Sequence, residues 1–303
     1  MGLALAAVAL CRGLLFAITI LGVTVADTPA APRRGEPAIW TIEKPNGATI
    51  TLFGSVHLLP DGEEWRTKAL AAAYDKADVI VLETDLDQMQ TNEMQAYLSK
   101  HALNDGDTTL SDLLSPEQKA TVTKGAVKAG LGLSAMERFR PWFAALQLSV
   151  ANAVAQGLSP DQGVDQQIAQ QGKADDKAFD YFETAREQLD LFIELPEKEQ
   201  VSFLVLGAAE LIDRPDALKQ LIDAWSTGNV AEIDDLMNRG LQDAPVVAKA
   251  LLADRNARWA RKIEDFYLKD RNSYLIVVGT GHLVGDAGVP ELLRDAGVEV
   301  KGP

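Results

Sequence analysis

Residues 274–283 read YLIVVGTGHL. Five β-favouring residues lead into a glycine-containing turn that ends at His282, which predicts a buried strand that places this histidine at one edge of a sheet. Residues 50–58, near the start of the chain, read ITLFGSVHL and have the same frame: an apolar run, a glycine, two residues, a histidine and a leucine. The chain has only three histidines, so two of them, His57 and His282, belong to one repeated G-x-x-H structure.

Acidic residues show a similar repetition. Residues 78–84 read DVIVLET and residues 178–184 read AFDYFET, so two more predicted strands end in Glu-Thr, at Glu83 and Glu183. The order along the chain is therefore G-x-x-H, Glu-Thr, Glu-Thr, G-x-x-H. This order predicts two related halves, each of which supplies one histidine and one glutamate from the ends of its strands.

The remaining elements indicate an α/β fold. Asn-Gly between the alternating runs 39–43 and 48–53 predicts a β-hairpin. After it we expect a helix, a strand and a helix, then a mostly helical middle, one long amphipathic helix, the His282 strand, and a C-terminal helix and short strand. We predict one domain over residues 39–303, in which duplicated β-hairpin/helix halves form a central sheet flanked by helices, with a helical insertion in the middle. The expected elements after the hairpin include helices at 63–76, 89–101 and 246–268 and a strand at 298–300.

The N-terminal residues indicate export. Residues 13–25 form an apolar run that follows Arg12 and ends in small residues, which predicts a signal peptide over residues 1–26. An Ala-Pro-rich, disordered tail is then expected over residues 27–38, and a signal anchor or a start codon placed too far upstream are the alternatives. Leu10 before Cys11 is too bulky for a lipoprotein signal. We therefore expect a periplasmic or secreted protein, without stable membrane insertion if the signal is cleaved.

Composition excludes some classes of function. The chain has 29 basic and 44 acidic residues, a net charge of −15, and loss of residues 1–26 removes one arginine and the single cysteine. The mature chain would then carry 28 basic and 44 acidic residues, a net charge of −16. Nucleic acid is a poor partner for such a chain, and thiolate chemistry is excluded. Solubility alone also explains this acidity, and the oligomeric state is not indicated.

The residues at the predicted strand ends allow more than one chemistry. Two neutral imidazoles and a carboxylate are common ligands of a divalent metal that activates water, with a second carboxylate as general base. Without a metal, a histidine oriented by a glutamate can deprotonate water directly. Taken singly, a histidine after a glycine turn is often a core residue, and a glutamate at a strand end is often solvated. Arg255-Asn256 can likewise be an exposed pair or an oxyanion-binding group.

Several of these motifs together resemble the TraB/GumN family, which is grouped with the Tiki metalloproteases, the erythromycin esterases and the ChaN-type haem-binding proteins. The resemblance spans about residues 39–300 and rests on both G-x-x-H motifs, Gly163-Val164-Asp165, Glu183-Thr184 with Glu187-Gln188-Leu189, and Arg255-Asn256. It implies an α/β fold of duplicated halves around one site. By position, it implies metal ligands at His57, Glu83 and His282, and catalytic roles for Glu183 and Arg255.

The resemblance also implies a function. We expect a secreted or periplasmic hydrolase that cleaves peptide or amide bonds with a divalent transition metal, Mn, Co or Zn, and that acts on a peptide or small-molecule substrate. The alternatives are a non-catalytic protein that binds haem, metal or peptide, and a metal-free His/Glu esterase.

Overall fold

A five-stranded sheet forms the centre of the protein. The computed structural model describes residues 35–241 and 243–303. Its strands are Ile39–Glu43 (β1), Thr49–Ser55 (β2), Val79–Leu82 (β3), Ala178–Tyr181 (β4) and Tyr274–Gly279 (β5). They lie in the order β1-β2-β5-β3-β4, and only β1 is antiparallel to its neighbour. Only the first G-x-x-H motif follows a hairpin, because β5 comes after a long helical segment.

Helices flank this sheet, so the predicted α/β class is confirmed. They are Lys68–Lys76 (α1), Asn92–Ala102 (α2), Pro116–Lys128 (α3), Pro141–Ala155 (α4), Val164–Ala174 (α5), Ala185–Ile193 (α6), Glu197–Asp213 (α7), Ala217–Ser226 (α8), Val230–Leu241 (α9), Pro245–Ala248 (α10), Asp254–Lys262 (α11) and Val289–Asp295 (α12).

Local sequence signals account for many of these boundaries. The Asn-Gly turn of the hairpin has Gly47 at φ 83°, a backbone conformation that glycine adopts without steric cost. Ser115 and Thr184 cap their helices by accepting from the third helical N–H, in reciprocal capping boxes.

Three predicted elements differ from the structure. The helix expected from residue 63 begins at Lys68. Residues 298–300 form no strand; the chain there makes one isolated bridge, between Thr41 and Lys301. The long helix expected over 246–268 contains two π-helical turns, Lys249–Ala253 and Ile263–Tyr267, on either side of α11.

Both faces of the sheet are covered by apolar side chains. On one face, Phe53 and Leu275 belong to the larger core with the helical middle. On the other face, Leu52 and Ile276 pack with Trp259 of α11. Strands buried on both faces read as continuous apolar runs, which is the pattern of residues 274–278.

The N-terminal predictions fall largely outside the described residues. The signal peptide over residues 1–26 lies there entirely, as does most of the tail over 27–38. Residues 35–38 lie against the turn at Gly228, where an added Cβ would be 2.6 Å from the Glu36 carbonyl oxygen. Over 35–241 and 243–303, no helix combines the length and apolarity needed to cross a membrane.

Candidate functional site

The four residues singled out at strand ends lie along one edge of the sheet. Because β2, β3, β4 and β5 are parallel, their carboxyl ends meet at the same edge, where open α/β sheets place their ligands. His57, Glu83, Glu183 and His282 follow these strands. Since β5 lies between β2 and β3, the order across the edge is His57, His282, Glu83, Glu183.

Three of these side chains meet over Gly279, the last residue of β5. The Gly279 N–H donates to Glu83 Oε1 at 2.7 Å. A Cβ on Gly279 would lie 3.2 Å from Glu83 Oε1, 3.6 Å from His57 Nε2 and 3.6 Å from His282 Cδ2. The glycine therefore leaves the space in which two imidazoles and a carboxylate approach one another.

Arg255, from α11, joins three of the four strand-end side chains, those of Glu83, Glu183 and His282. It is 2% exposed. Its Nε donates to Glu183 at 3.0 Å, and its Nη2 donates to Glu83 Oε2 at 2.7 Å and to Glu183 Oε2 at 2.9 Å. Its Nη1 donates to the Leu251 carbonyl at 3.1 Å and lies 3.0 Å from His282 Nε2. All five N–H bonds of this guanidinium are used within the protein.

These contacts set the charges of the buried groups. Burial raises the pKa of Glu83, but Arg255, the two histidines and the Gly279 N–H more than offset this and hold it well below its usual range. Burial lowers the pKa of Arg255, and the two carboxylates raise it further than burial lowers it. Burial and the Arg255 charge together lower the pKa of His282 to about 3. At neutral pH, Glu83 is therefore an anion and His282 is neutral.

Asn256 determines which His282 nitrogen carries the proton. The Asn256 amide donates from Nδ2 to the Ala287 carbonyl at 2.7 Å, which turns its Oδ1 toward His282. His282 Nδ1 lies 2.5 Å from that oxygen, so Nδ1 carries the proton and Nε2 accepts from Arg255.

His57 has a different partner, Asp165. His57 Nδ1 and Asp165 Oδ1 are 3.2 Å apart, although the pair is not aligned as a hydrogen bond. Burial lowers the pKa of His57, but Asp165, with a smaller contribution from Glu83, raises it above its ordinary value. Asp165 reaches the ring because α5 begins directly against His57: a Cβ on Gly163 would lie 2.5 Å from the His57 carbonyl oxygen.

A small pocket opens beside His57. Its volume is about 10 Å³, room for about one water molecule. Five buried polar atoms of residues that line it have no hydrogen-bond partner in the described part of the chain: Ser55 Oγ, His57 Nδ1, Thr84 Oγ1, Asp165 Oδ1 and Gln188 Oε1. Buried polar groups are normally satisfied, so this concentration of unpaired atoms indicates a site for a polar ligand.

Glu183 is held by two cations. Its carboxylate accepts from Arg255 and also from Arg258 Nη2, at 3.1 Å. To act as the predicted general base it would first have to leave both guanidinium groups. The Arg258 side chain is 49% exposed, and within the described ranges it donates only from Nη2, to Glu183, so its other N–H groups can meet a ligand.

The sequence alone did not single out Asp165, Gln188 and Arg258 by their chemistry. Asp165 and Gln188 lie in segments that carry the family resemblance, but neither segment shows that its polar residue reaches His57 or Glu83. Gln188 Nε2 donates to Glu83 Oε2 at 3.0 Å. Arg258 follows Arg255 by three residues, and this i, i+3 spacing on a helix was its only signal.

The residue types suit a divalent transition metal, but their donor atoms are not arranged as the ligands of one ion. His282 Nε2 and Glu83 Oε1 are 3.7 Å apart, yet the same nitrogen accepts from Arg255. Within the described ranges, no group of three or more His, Cys, Asp or Glu side chains is placed to hold a metal ion. The donors thus do not fit a metal in this arrangement, and the pocket has no room for a haem macrocycle.

Comparisons with known proteins agree with the motifs. The sequence model of the TraB/PrgY/gumN family matches residues 38–302. The chain is 23% identical over 278 residues to the uncharacterized protein YbaP of Escherichia coli (strain K12), across 87% of this chain and 96% of the relative. YbaP of Shigella flexneri, also described as uncharacterized, matches with the same identity and coverage. No solved structure is significantly similar to the chain.

Proposed function

The chain belongs to the TraB/PrgY/gumN family, and from this premise we propose that it is an exported hydrolase of peptide or amide bonds. The observation that supports the proposal best is the pocket beside His57. A histidine paired with a carboxylate lines it next to Glu83, and its unpaired polar atoms call for a polar ligand. Such a combination of a base, an orienting acid and a ligand site is the usual composition of a hydrolytic centre.

The proposed reaction uses His57 as general base. Asp165 lies at Nδ1, so Nε2, on the Gly279 side, is the nitrogen that takes a proton from water. The water oxygen bonds to the substrate carbonyl carbon, and Asp165 stabilises the imidazolium that forms. The imidazolium then returns the proton to the leaving nitrogen as the C–N bond breaks, which yields a carboxylic acid and an amine.

In this proposal Arg255 positions other residues and does not contact the substrate. Its five N–H bonds hold Glu83, Glu183, His282 and the Leu251 carbonyl. Arg258 has unused N–H groups and is half exposed, so it is the guanidinium that can approach a substrate carbonyl or carboxylate.

A peptidase screen of the mature protein tests the proposal. We expect peptide cleavage that falls roughly 100-fold or more in His57→Ala and about tenfold in Asp165→Asn, as for loss of a general base and of its orienting group. Activity in the wild type should rise with pH through a pKa above that of free histidine, because His57 acts in its neutral form. Peptide binding without cleavage, unaffected by His57→Ala, would instead support a peptide-binding protein.

A metal-dependent form of the hydrolase is the second candidate. The observation in its favour is the Asn256 contact, since a partner at one ring nitrogen is how proteins orient a metal-binding histidine. It requires Arg255 to leave His282 Nε2. Elemental analysis of untagged protein separates the two: about one equivalent of Mn, Co or Zn, lost in folded His57→Ala and His282→Ala variants, supports the metal. Full activity in chelator-treated protein would exclude it.

A further inference from the structure

The unpaired atoms of the His57 pocket are mainly oxygens. Four of the five are Ser55 Oγ, Thr84 Oγ1, Asp165 Oδ1 and Gln188 Oε1. Ser55, Thr84 and Gln188 are only 1%, 2% and 3% exposed, so bulk water does not satisfy them. Gln188 donates from Nε2 to Glu83, which leaves its Oε1 as a fixed acceptor.

The pocket has the size and access of a site for one small polar group. Its volume of about 10 Å³ holds one water-sized group. Leu82 and Val277 provide apolar walls. Leu86 and Asp165, which also line the pocket, are partly exposed.

The charge around the pocket favours a cation. In the state in which His57 is neutral, as the proposed general base requires, the carboxylates of Glu83, Glu183 and Asp165 face the guanidinium groups of Arg255 and Arg258, which leaves one net negative charge. Two fixed acceptor oxygens and two hydroxyl groups match a ligand that has several N–H donors and no acceptor. A primary ammonium group has this character and the size of a water molecule.

We propose that this pocket binds the primary ammonium group of a peptide substrate. The catalytic consequence of this binding rests on the proposed hydrolase function. An α-ammonium held beside His57 brings the first peptide carbonyl, two bonds away, to the base. The enzyme would then remove residues from the free N-terminus of a peptide. A lysine side chain carries the same ammonium group and would place a more distant bond at the site.

Calorimetric binding of three peptides tests the proposal in a His57→Gln background, where the substrate stays intact. The peptides are an alanine tetrapeptide with a free N-terminus, its N-acetylated form, and the acetylated form with lysine at the second position. We expect acetylation to weaken binding at least tenfold, as for the loss of hydrogen bonds to a charged group. Recovery of affinity by the lysine peptide would support the ammonium site and assign it to side chains, and no recovery would assign it to the N-terminus.

Thr84→Val separates a ligand site from a structural role. The substitution keeps the side-chain shape and removes a hydroxyl that has no partner among the described residues, so the thermal midpoint should stay the same or rise while the effect of acetylation is largely lost. Thr123→Val is the matched control, because that hydroxyl bonds to the Lys119 carbonyl of its own helix, outside the pocket. The Thr123→Val variant should still bind the acetylated peptide more weakly than the free peptide.

Two results would overturn the ammonium site. One is equal binding of the free and both acetylated peptides, in which case the pocket holds water only. The other is a lowered thermal midpoint in Thr84→Val with the acetylation effect intact.

Cleavage by the wild-type protein is measured separately. Binding that is sensitive to acetylation, with no cleavage, would refute the hydrolase function but not the ammonium site. Equal cleavage of the free and acetylated peptides would refute the ammonium site but not the hydrolase function.

Discussion

At the scale of single residues, Arg255 is the group on which the site depends. It is fully buried between the carboxylates of Glu83 and Glu183, and its charge lowers the pKa of both Glu83 and His282. Arg258 touches the same Glu183 carboxylate from the outside. The two arginines therefore differ mainly in burial, so a comparison of their substitutions measures what burial of the ion pair contributes to stability.

We predict that Arg255→Ala destabilises the protein by roughly 3–5 kcal/mol, because it leaves two buried carboxylates without their main counter-ion. Arg258→Ala should cost at most about 1 kcal/mol, since its ion pair is half exposed and screened by solvent. Free energies of unfolding from urea titrations at neutral pH measure both changes. Adding Glu183→Gln to Arg255→Ala should restore part of the loss, and equal effects of the two arginines would contradict this assignment.

His282 should make the stability of the protein depend on pH. Its pKa is lowered in the folded state to about 3, so its contribution is complete above the unfolded-state value of 6.5 and is lost as pH falls from there toward 3. His57 adds little to the slope between pH 6 and 5, because its unfolded-state pKa of 6.5 and its raised folded-state pKa both lie above this interval. In that interval we expect stability to fall by roughly 1 kcal/mol per pH unit in the wild type.

His282→Asn should remove this slope, and His101→Asn, on α2 outside the site, should retain it. Chemical denaturation at several pH values between 5 and 6 provides the measurement. A wild-type stability that is flat over this range would show that His282 is not held neutral by Arg255.

At the scale of elements, two helices carry the groups that complete the strand-end residues. The first turn of α5 brings Asp165 to His57, with the Val164 N–H bonded to the Val56 carbonyl at 3.0 Å. Helix α11 brings Arg255, Asn256 and Arg258, and it lies between two π-helical turns, a feature that often marks functional sites. The chemistry therefore depends on how closely these two helices approach the sheet edge.

Gly163 sets the approach of α5, and Gly163→Ala tests it. The added Cβ would lie 2.5 Å from a backbone oxygen of His57, so the start of α5 must move and the Asp165–His57 contact must lengthen. We expect a loss of about 1–3 kcal/mol in stability, as for overpacking, together with lower activity.

The control is Gly207→Ala in α7, where an added Cβ meets no atom within 4 Å. This change should stabilise the protein by about 0.5–1 kcal/mol because alanine favours helix. Thermal and urea unfolding of both variants measure the contrast, and an unchanged stability in Gly163→Ala would refute the close docking of α5.

At the scale of the whole molecule, the excess of acidic residues gives the protein a negative net potential. The chain carries a net charge of −15. Long-range attraction of this kind speeds the arrival of cationic ligands and weakens as salt shortens the Debye length.

We therefore predict that kcat/KM for a peptide with lysines outside the cleaved residues falls several-fold between 20 mM and 500 mM NaCl. An otherwise identical peptide with norleucine in place of each lysine is the matched control and should change little. Equal salt dependence of the two peptides would assign the acidity to solubility alone.

The sequence by itself determined which residues stand at the ends of the apolar strands and where the hairpin turns. These are local properties, because strand propensity and Asn-Gly turns act over a few neighbouring residues. The same reading predicted His57, Glu83, Glu183 and His282 as one group, and the structure brings these four side chains to one edge.

Only the tertiary structure decided how those residues meet. Strand β5 pairs with β2 and β3, from which it is separated by about two thirds of the chain, and this insertion places His282 between His57 and Glu83. The contacts of Asp165 with His57 and of all five Arg255 N–H bonds likewise join distant segments. No local pattern specifies such pairings, because their free energy comes from packing and charge between elements that the sequence alone does not bring together.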